Sequence, residues 1–332
     1  MDGYPYSDLS GRNVRELSDL VMESEGKPLR SVIVSTWRSG SSFLGDLVDA
    51  HPASYYYFEP LLYLGIVQFR RPLPSPEPFN TLRSLFNCDF SNLGNFLKYR
   101  STDKWHSDDY NRYLRKQCRR NKNTCHDPVF STKFCSLFPF QVAKIVGLDL
   151  ALMDSFLEDN DLGIKIVFLI RDPRGVLHSR KSLDWCRNTP NCLNPVSLCT
   201  NMLLDYATAM DFSTRFPESF KVLRYEDLVG NPQRISREIY SFYGMAFHNV
   251  AREFVNTHTR VSRGDEYSTF RNSSAVSFQW KEKLAFDEVN VIQENCYEAI
   301  QIWGYNLAFN GSHQKNFDPL RPLTTRNFNY FR

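Results

Sequence analysis

A short polar loop that follows a β-branched run has residue types that could bind an anion. Residues 32–34 are Val, Ile and Val, an apolar-periodic helix follows the loop, and the loop itself reads Thr36-Trp37-Arg38-Ser39-Gly40-Ser41-Ser42. Backbone N–H groups at such a turn and helix N-terminus can cradle an anion, and the serine hydroxyls add donors. The Walker pattern is missing, because no lysine follows Gly40 and no second glycine precedes it. A plain strand–turn–helix junction is the alternative explanation.

Arg171 and Ser179 form a second candidate anion site. Residues 164–170 are a near-continuous apolar run typical of a strand that is buried on both faces. Asp172 can cap the next helix and Pro173 can begin it. About two helical turns then separate the strand end from Ser179, so the serine can lie below Arg171. A guanidinium and a hydroxyl could bind one phosphate there, although an isolated pair of this kind is more often a surface arginine and a helix serine.

Glu59 is the candidate general base. Between Gly40 and Glu59 the chain is predicted to run down one helix, 41–50, and back along an extended run, 54–58. The carboxylate therefore returns to the sheet edge beside residues 36–42, the anion loop, where it could take a proton from a substrate. A turn residue before Pro60 is the alternative. His178 and His258 are weaker candidates, because they lie at helix and loop positions.

Periodicity gives the elements that must position these residues. Strands are predicted at 31–36, 54–58, 128–134, 164–170 and 220–224. Helices are predicted at 41–50, 142–157, from 173 onward, and at 195–215, 232–243, 248–257 and 287–302. This alternation predicts an α/β fold with a P-loop-like, mainly parallel sheet that is flanked by helices. In such a sheet, ligands bind at the carboxyl ends of the strands.

The chain is expected to form a single domain over 31–310. Residues 1–30 are a polar segment that could be the remnant of a stem, 70–128 an irregular insertion, and 311–332 a C-terminal tail. The net charge of +3 is too mild to indicate a nucleic-acid-binding protein. No apolar run is long enough for a membrane span, and the first thirty residues lack the apolar core of a signal peptide. We expect any membrane anchor to lie upstream of Met1 or to be absent from this version of the chain.

Cysteine usage favours an oxidising compartment. Of the eight cysteines, Cys118 and Cys125 flank one polar loop and Cys186 and Cys192 flank another, so these two pairs are the expected local disulfides. The remaining four are Cys88, Cys135, Cys199 and Cys296. Sequons at Asn272 and Asn310 agree with a secretory location. Eight buried free thiols are the alternative, and no C-x-x-C pair indicates zinc.

Together these motifs resemble the Golgi carbohydrate sulfotransferases, above all the galactose, N-acetylglucosamine and N-acetylgalactosamine 6-O-sulfotransferases. The resemblance spans about 30–307 and rests on S-T-W-R-S-G-S-S after a strand, E-P about twenty residues later, and R-D-P-R-x-V-x-x-S-R after a buried strand. Further similarity lies in Arg224-Tyr225-Glu226-Asp227-Leu228, in the late loop around Arg271, in Trp280-Lys281, in Cys296 and in Gly304-Tyr305.

The resemblance implies the sulfotransferase fold, a location in the Golgi lumen and the donor 3′-phosphoadenosine 5′-phosphosulfate (PAPS), with no metal. The donor-binding residues would be the loop from Thr36 to Ser42, together with Arg171, Ser179 and Arg271. Arg38 would neutralise charge on the bridging oxygen, and Glu59 would remove the proton of a sugar hydroxyl in a glycan acceptor. Many sulfotransferases carry lysine where Arg38 stands.

Two other functions remain open from the sequence. A P-loop kinase would share the sheet and loop but should show a Walker lysine and a magnesium-binding carboxylate. A luminal protein that binds the donor or a glycan without catalysis would keep every motif above. The acceptor is also undetermined, because the basic stretch from Arg112 to Lys122 could bind an anionic glycan or simply be a solvated face.

Overall fold

A five-stranded parallel sheet forms the centre of the protein. The computed structural model describes residues 28–102, 111–121, 123, 126–259, 276–323 and 330–331. The strands are β1 Leu29–Ser35, β2 Ser54–Phe58, β3 Phe140–Val146, β4 Ile164–Ile170 and β5 Phe220–Arg224. All neighbouring strands pair in parallel, in the order β2-β3-β1-β4-β5. The predicted α/β fold class is confirmed.

Helices connect the strands and cover both faces of the sheet. Short 3₁₀ turns lie at Leu62–Leu64 and Leu150–Met153. No helix in the described ranges is long and apolar enough to cross a bilayer. The helices of those ranges are α1 Ser41–Asp49, α2 Glu77–Phe86, α3 Gly94–Thr102, α4 Arg112–Arg120, α5 Pro128–Cys135, α6 Asp154–Leu157, α7 Pro173–Lys181, α8 Asp184–Arg187, α9 Pro195–Arg215, α10 Tyr225–Gly230, α11 Pro232–Tyr243, α12 Asn249–His258, α13 Trp280–Lys283, α14 Phe286–Asn295, α15 Tyr297–Ile302 and α16 Gly311–Asn316.

Two apolar cores on opposite faces of the sheet fix where the ligand crevice lies. Helix α1 buries Phe43 and Leu44 in the core that contains Ile33, whereas α7 buries Val176 and Leu177 in the core on the other face. The chain therefore leaves the adjacent strands β1 and β4 towards opposite faces. This arrangement is the topological switch point at which α/β sheets bind ligands.

Two predicted elements are wrong: a predicted strand is a helix, and a predicted helix begins as a strand. The predicted strand at 128–134 is helix α5, because the side chain of Asp127 accepts a hydrogen bond from the N–H of Phe130 and Pro128 begins the helix. The predicted helix at 142–157 begins instead as strand β3, which lies between β1 and β2. The two polar residues of this strand, Gln141 and Lys144, are 2% and 1% exposed, so the strand is buried although its sequence is not uniformly apolar.

The insertion, the last long helix and the C-terminal tail also differ from their predictions. The segment 70–128 was expected to be irregular but contains α2, α3 and α4. The helix predicted at 287–302 is divided into α14 and α15 at Cys296. Two described residues beyond 310 contact the domain through their backbones, since the N–H of Arg321 donates to the carbonyl of Gly304 and the N–H of Phe331 donates to that of Val222.

Three disulfides are present among the described residues: Cys88–Cys135, Cys186–Cys192 and Cys199–Cys296. The predicted pair Cys186–Cys192 is confirmed. Cys118 is disulfide-bonded, and its predicted partner Cys125 lies outside the described residues. The alternative of eight free thiols is therefore wrong, which agrees with an oxidising compartment.

Candidate functional site

The loop after β1 leaves the N-terminus of α1 without a side-chain cap, as the predicted anion site requires. Gly40 is the N-cap and adopts a left-handed conformation with φ of 91°. A Cβ atom at Gly40 would lie 2.3 Å from the ring of Tyr225, so both conformation and space require glycine. No side chain caps this helix, so the N–H groups of its first turn remain available to a ligand.

Arg38 joins the two predicted anion sites. Its backbone is left-handed, with φ of 69°. Its Nε donates to the Oγ of Ser179 at 3.0 Å, while its carbonyl accepts from Nη1 of Arg171 at 3.0 Å. The loop after β1 and the segment after β4 therefore form one continuous basic surface at the switch point.

Unsatisfied buried polar atoms in this surface fit a bound anion. Arg171 is 7% exposed, and its guanidinium lies 4.8 Å from the ring centre of Tyr225. Its Nε has no hydrogen-bond partner in the described part of the chain, and neither has the buried Oγ of Ser39. Buried donors normally have partners. Phosphate oxygens of an anionic ligand would satisfy both groups.

A buried lysine that sequence reasoning missed connects the anion loop to Glu59. The Nζ of Lys144 donates to Oε1 of Glu59 at 2.5 Å and to Oγ of Ser42 at 3.2 Å, and it lies 3.5 Å from the ring centre of Phe58. Burial lowers the pKa of Lys144, and the carboxylate of Glu59 opposes that shift. Because β3 lies between β1 and β2, Glu59 is two strand spacings from β1, about 10 Å. Lys144 spans that gap.

Glu59 keeps one carboxylate oxygen available. Its side chain is 20% exposed and its backbone has a positive φ of 43°, an unusual conformation for a residue other than glycine. Within the described residues, Oε2 makes no hydrogen bond, whereas Oε1 bonds Lys144. Glu59 also borders an aromatic crevice that contains Tyr63, Phe96 and Tyr99. The carboxylate can therefore meet a second molecule that enters beside the anion loop.

Arg180 packs against the loop after β1 and holds two of the predicted donor-binding residues, Thr36 and Trp37, by hydrogen bonds. Its guanidinium is fully buried and donates to the carbonyls of Trp37 and Cys192 and to Oγ1 of Thr36. The hydroxyl of Thr36 is thus held by Arg180. The ring of Trp37 packs edge-on against Trp185.

The structure brings together most of the predicted site residues. Ser41 is buried in the first turn of α1, and Arg271 lies outside the described residues. No group of three or more potential metal-ligating side chains was found in the described ranges. A signal for Lys144 was present in the sequence as a single cation inside the apolar run V-A-K-I-V, but the run was assigned to a helix.

The chain is similar in sequence to known sulfotransferases. A profile of the Sulfotransferase family matches residues 163–249. Carbohydrate sulfotransferase 1 of Mus musculus is 28% identical, covering 86% of this chain and 81% of that protein. Carbohydrate sulfotransferase 5 of Mus musculus is 25% identical, covering 88% and 84%. The sulfotransferase domain of the Synechococcus PCC 7002 olefin synthase aligns with a TM-score of 0.46 and 17% identity, over 85% of this chain and 96% of that one.

Proposed function

We propose that this chain, a relative of the carbohydrate sulfotransferases, transfers the sulfuryl group of PAPS to a sugar hydroxyl of a glycan. The acceptor position we propose is the 6-O of galactose, N-acetylglucosamine or N-acetylgalactosamine. The observation that carries the proposal is the convergence of Arg38, Arg171 and Ser179 at one switch point, with Glu59 and Lys144 beside it.

Two parts of the basic surface would hold the two ends of the donor. The first-turn N–H groups of α1, with Ser39, Ser42 and Lys144, would bind the 5′-phosphosulfate. Arg171 and Ser179 would bind the 3′-phosphate, which adenosine triphosphate lacks. PAPS supplies the sulfuryl group on a phosphate–sulfate anhydride. The cations Arg38 and Lys144 would stabilise negative charge where that anhydride breaks.

Glu59 would take the proton of the acceptor hydroxyl. Oε2 accepts the proton as the hydroxyl oxygen forms its bond to sulfur, while Oε1 remains bonded to Lys144. The acceptor sugar would enter through the aromatic crevice, where Tyr63 and Tyr99 offer partly exposed rings to the apolar face of a sugar. The location that we propose is the Golgi lumen, and the disulfides among the described residues agree with an oxidising compartment of this kind.

A transfer assay tests this function against the alternative of a donor-binding protein without catalysis. The protein is incubated with sulfur-labelled PAPS and with desulfated keratan, desulfated chondroitin and N-acetylglucosamine-terminated acceptors. We expect label in at least one glycan. Binding of 3′-phosphoadenosine 5′-phosphate (PAP) without transfer to any acceptor would favour the silent protein, and failure to bind PAP would refute the donor.

A further inference from the structure

Glu226 lies directly behind the turn that carries Arg171. It is 2% exposed and is the second residue of α10. Its Oε1 accepts a hydrogen bond from the backbone N–H of Asp172 at 3.1 Å, and its Oε2 accepts from the hydroxyl of Tyr305 at 3.0 Å. The carboxyl group thus ties α10 and the segment after α15 to the residue that follows Arg171.

Charged groups from every element around this carboxyl face it. The turn before α7 contributes Arg171 and Asp172, and Asp172 also caps α7 and pairs with the fully buried Arg174. The end of β5 contributes Arg224, which pairs with Asp227. Burial raises the pKa of Glu226 to about 7, Asp172 adds to that rise, and Arg171 and Arg224 oppose it.

We infer that Glu226 is a positioning residue that holds the turn presenting Arg171 and couples binding of the donor's 3′-phosphate to uptake of a proton. The inference rests on the proposed function, since it requires a phosphate at Arg171. It adds a residue that does not touch the donor but sets how donor affinity depends on pH.

The physical basis is competition of two anions for one guanidinium. When Glu226 is ionised, its charge interacts with Arg171 and would repel the charge of a phosphate bound at that arginine. Protonation of Glu226 relieves this repulsion and keeps both hydrogen bonds, because Oε1 still accepts from Asp172 and the Oε2–H group can donate to Tyr305. A bound phosphate therefore raises the proton affinity of Glu226, and by linkage the protonated protein binds the donor more tightly.

Calorimetric titration of PAP into the full chain tests the coupling. Titrations in buffers of different ionisation heat, from below to above pH 7, give the number of protons taken up on binding. We expect the wild-type protein to take up protons over a pH interval that begins near the pKa of Glu226 in the unliganded protein, about 7, and extends to the higher pKa that the bound phosphate gives this group. Glu226→Gln should still bind PAP but lose that uptake. The 3′-phosphate of PAP can also change its protonation on binding, but it does so with both proteins. The difference in proton uptake between the wild type and Glu226→Gln therefore reports on Glu226.

Two further variants complete the experiment. Asp205→Asn is the matched control. Burial also raises the pKa of Asp205 to about 7, but this carboxyl lies in another part of the fold, where it accepts a hydrogen bond from the N–H of Leu150. Its proton uptake should match that of the wild type. Tyr305→Phe leaves Arg171 unchanged but removes a donor to the carboxylate, so the pH interval of proton uptake should move to higher pH.

The outcomes separate the inference from the proposed function. A wild-type protein that does not bind PAP overturns the proposed function and the inference with it. PAP binding with equal proton uptake in Glu226→Gln overturns the inference alone. If Glu226→Gln fails to fold, an unchanged pH interval of proton uptake in Tyr305→Phe overturns the inference as well.

Discussion

At the scale of single residues, the buried pair of Lys144 and Glu59 explains how the anion loop and a base can act together. A lysine that is 1% exposed requires a partner, and it has one in Glu59 and a second in Ser42 of the loop. Because the same ammonium contacts both groups, a ligand charge in the loop would be felt at the carboxylate. This arrangement gives the predicted base a structural reason to lie where it does.

Glu59→Gln should separate donor binding from turnover. The amide keeps the shape of the side chain and an acceptor for Lys144, and it removes a negative charge near the anion loop, so affinity for PAP should not fall. The rate should fall by roughly 10²–10⁴-fold, the range for loss of a general base. Single-turnover sulfate transfer at saturating donor and acceptor measures this. A rate within about tenfold of the parent would place the base elsewhere, and a raised acceptor KM with unchanged kcat would mean that Glu59 only orients the acceptor.

Arg171→Ala and Ser179→Ala should each weaken PAP binding, with the larger loss for the arginine. Hydrogen bonds to charged groups contribute about 1.5–3 kcal/mol, so Arg171→Ala should lower affinity by roughly ten- to a hundredfold. Arg187→Ala is a control, since Arg187 is exposed on α8 and pairs with Asp184. Titration calorimetry gives the affinities. Wild-type affinity in both site variants would remove the assignment of the 3′-phosphate site.

At the scale of elements, a disulfide and a hydrogen bond connect α9 to the end of α14 and the segment around α15. Cys199 in α9 is bonded to Cys296, which lies between α14 and α15 and is 97 residues away in sequence. Trp303 reinforces the contact, because its indole N–H donates to the carbonyl of Met202. By contrast, Cys186–Cys192 closes a loop of only six residues beside Trp37.

The long-range disulfide should therefore stabilise the protein more than the short one. In the chain-entropy model, a crosslink over about 100 residues contributes about 4–5 kcal/mol and one over six residues about 2 kcal/mol. Paired Cys→Ser variants of each disulfide, unfolded in urea under non-reducing conditions, compare the two directly. Equal losses of unfolding free energy would show that packing around each bond, and not loop length, sets its contribution.

At the scale of the whole molecule, buried acids link folding to pH. Glu226 and Asp205 each have a pKa raised to about 7 by burial, on different parts of the fold. A carboxyl whose pKa is higher in the folded state than in the unfolded state stabilises the fold below its unfolded pKa. That stabilisation is lost as the pH rises through the folded pKa. Both groups should therefore make the protein less stable between about pH 4 and pH 7 as pH increases.

Asp205→Asn should reduce this pH dependence. The amide keeps an acceptor for the N–H of Leu150 and cannot ionise, so the free energy of unfolding should fall less steeply over the same pH interval. Urea unfolding at a series of pH values measures the slope. A variant with the slope of the wild type would mean that Asp205 is ionised in the folded protein at acidic pH.

The sequence by itself determined the elements whose signals are local. The strand before the anion loop, the helix after it, Asp172 as a cap and the run at 164–170 were all predicted within a few residues, because capping and apolar runs act over one or two turns. Only the tertiary structure decided the order of the strands. Placing β3 between β1 and β2 buried Lys144 and brought it to Glu59, and no local pattern encodes which strands become neighbours. For the same reason the buried supports of the site, Arg180 behind the loop and Glu226 behind Arg171, became visible only when distant segments were packed together.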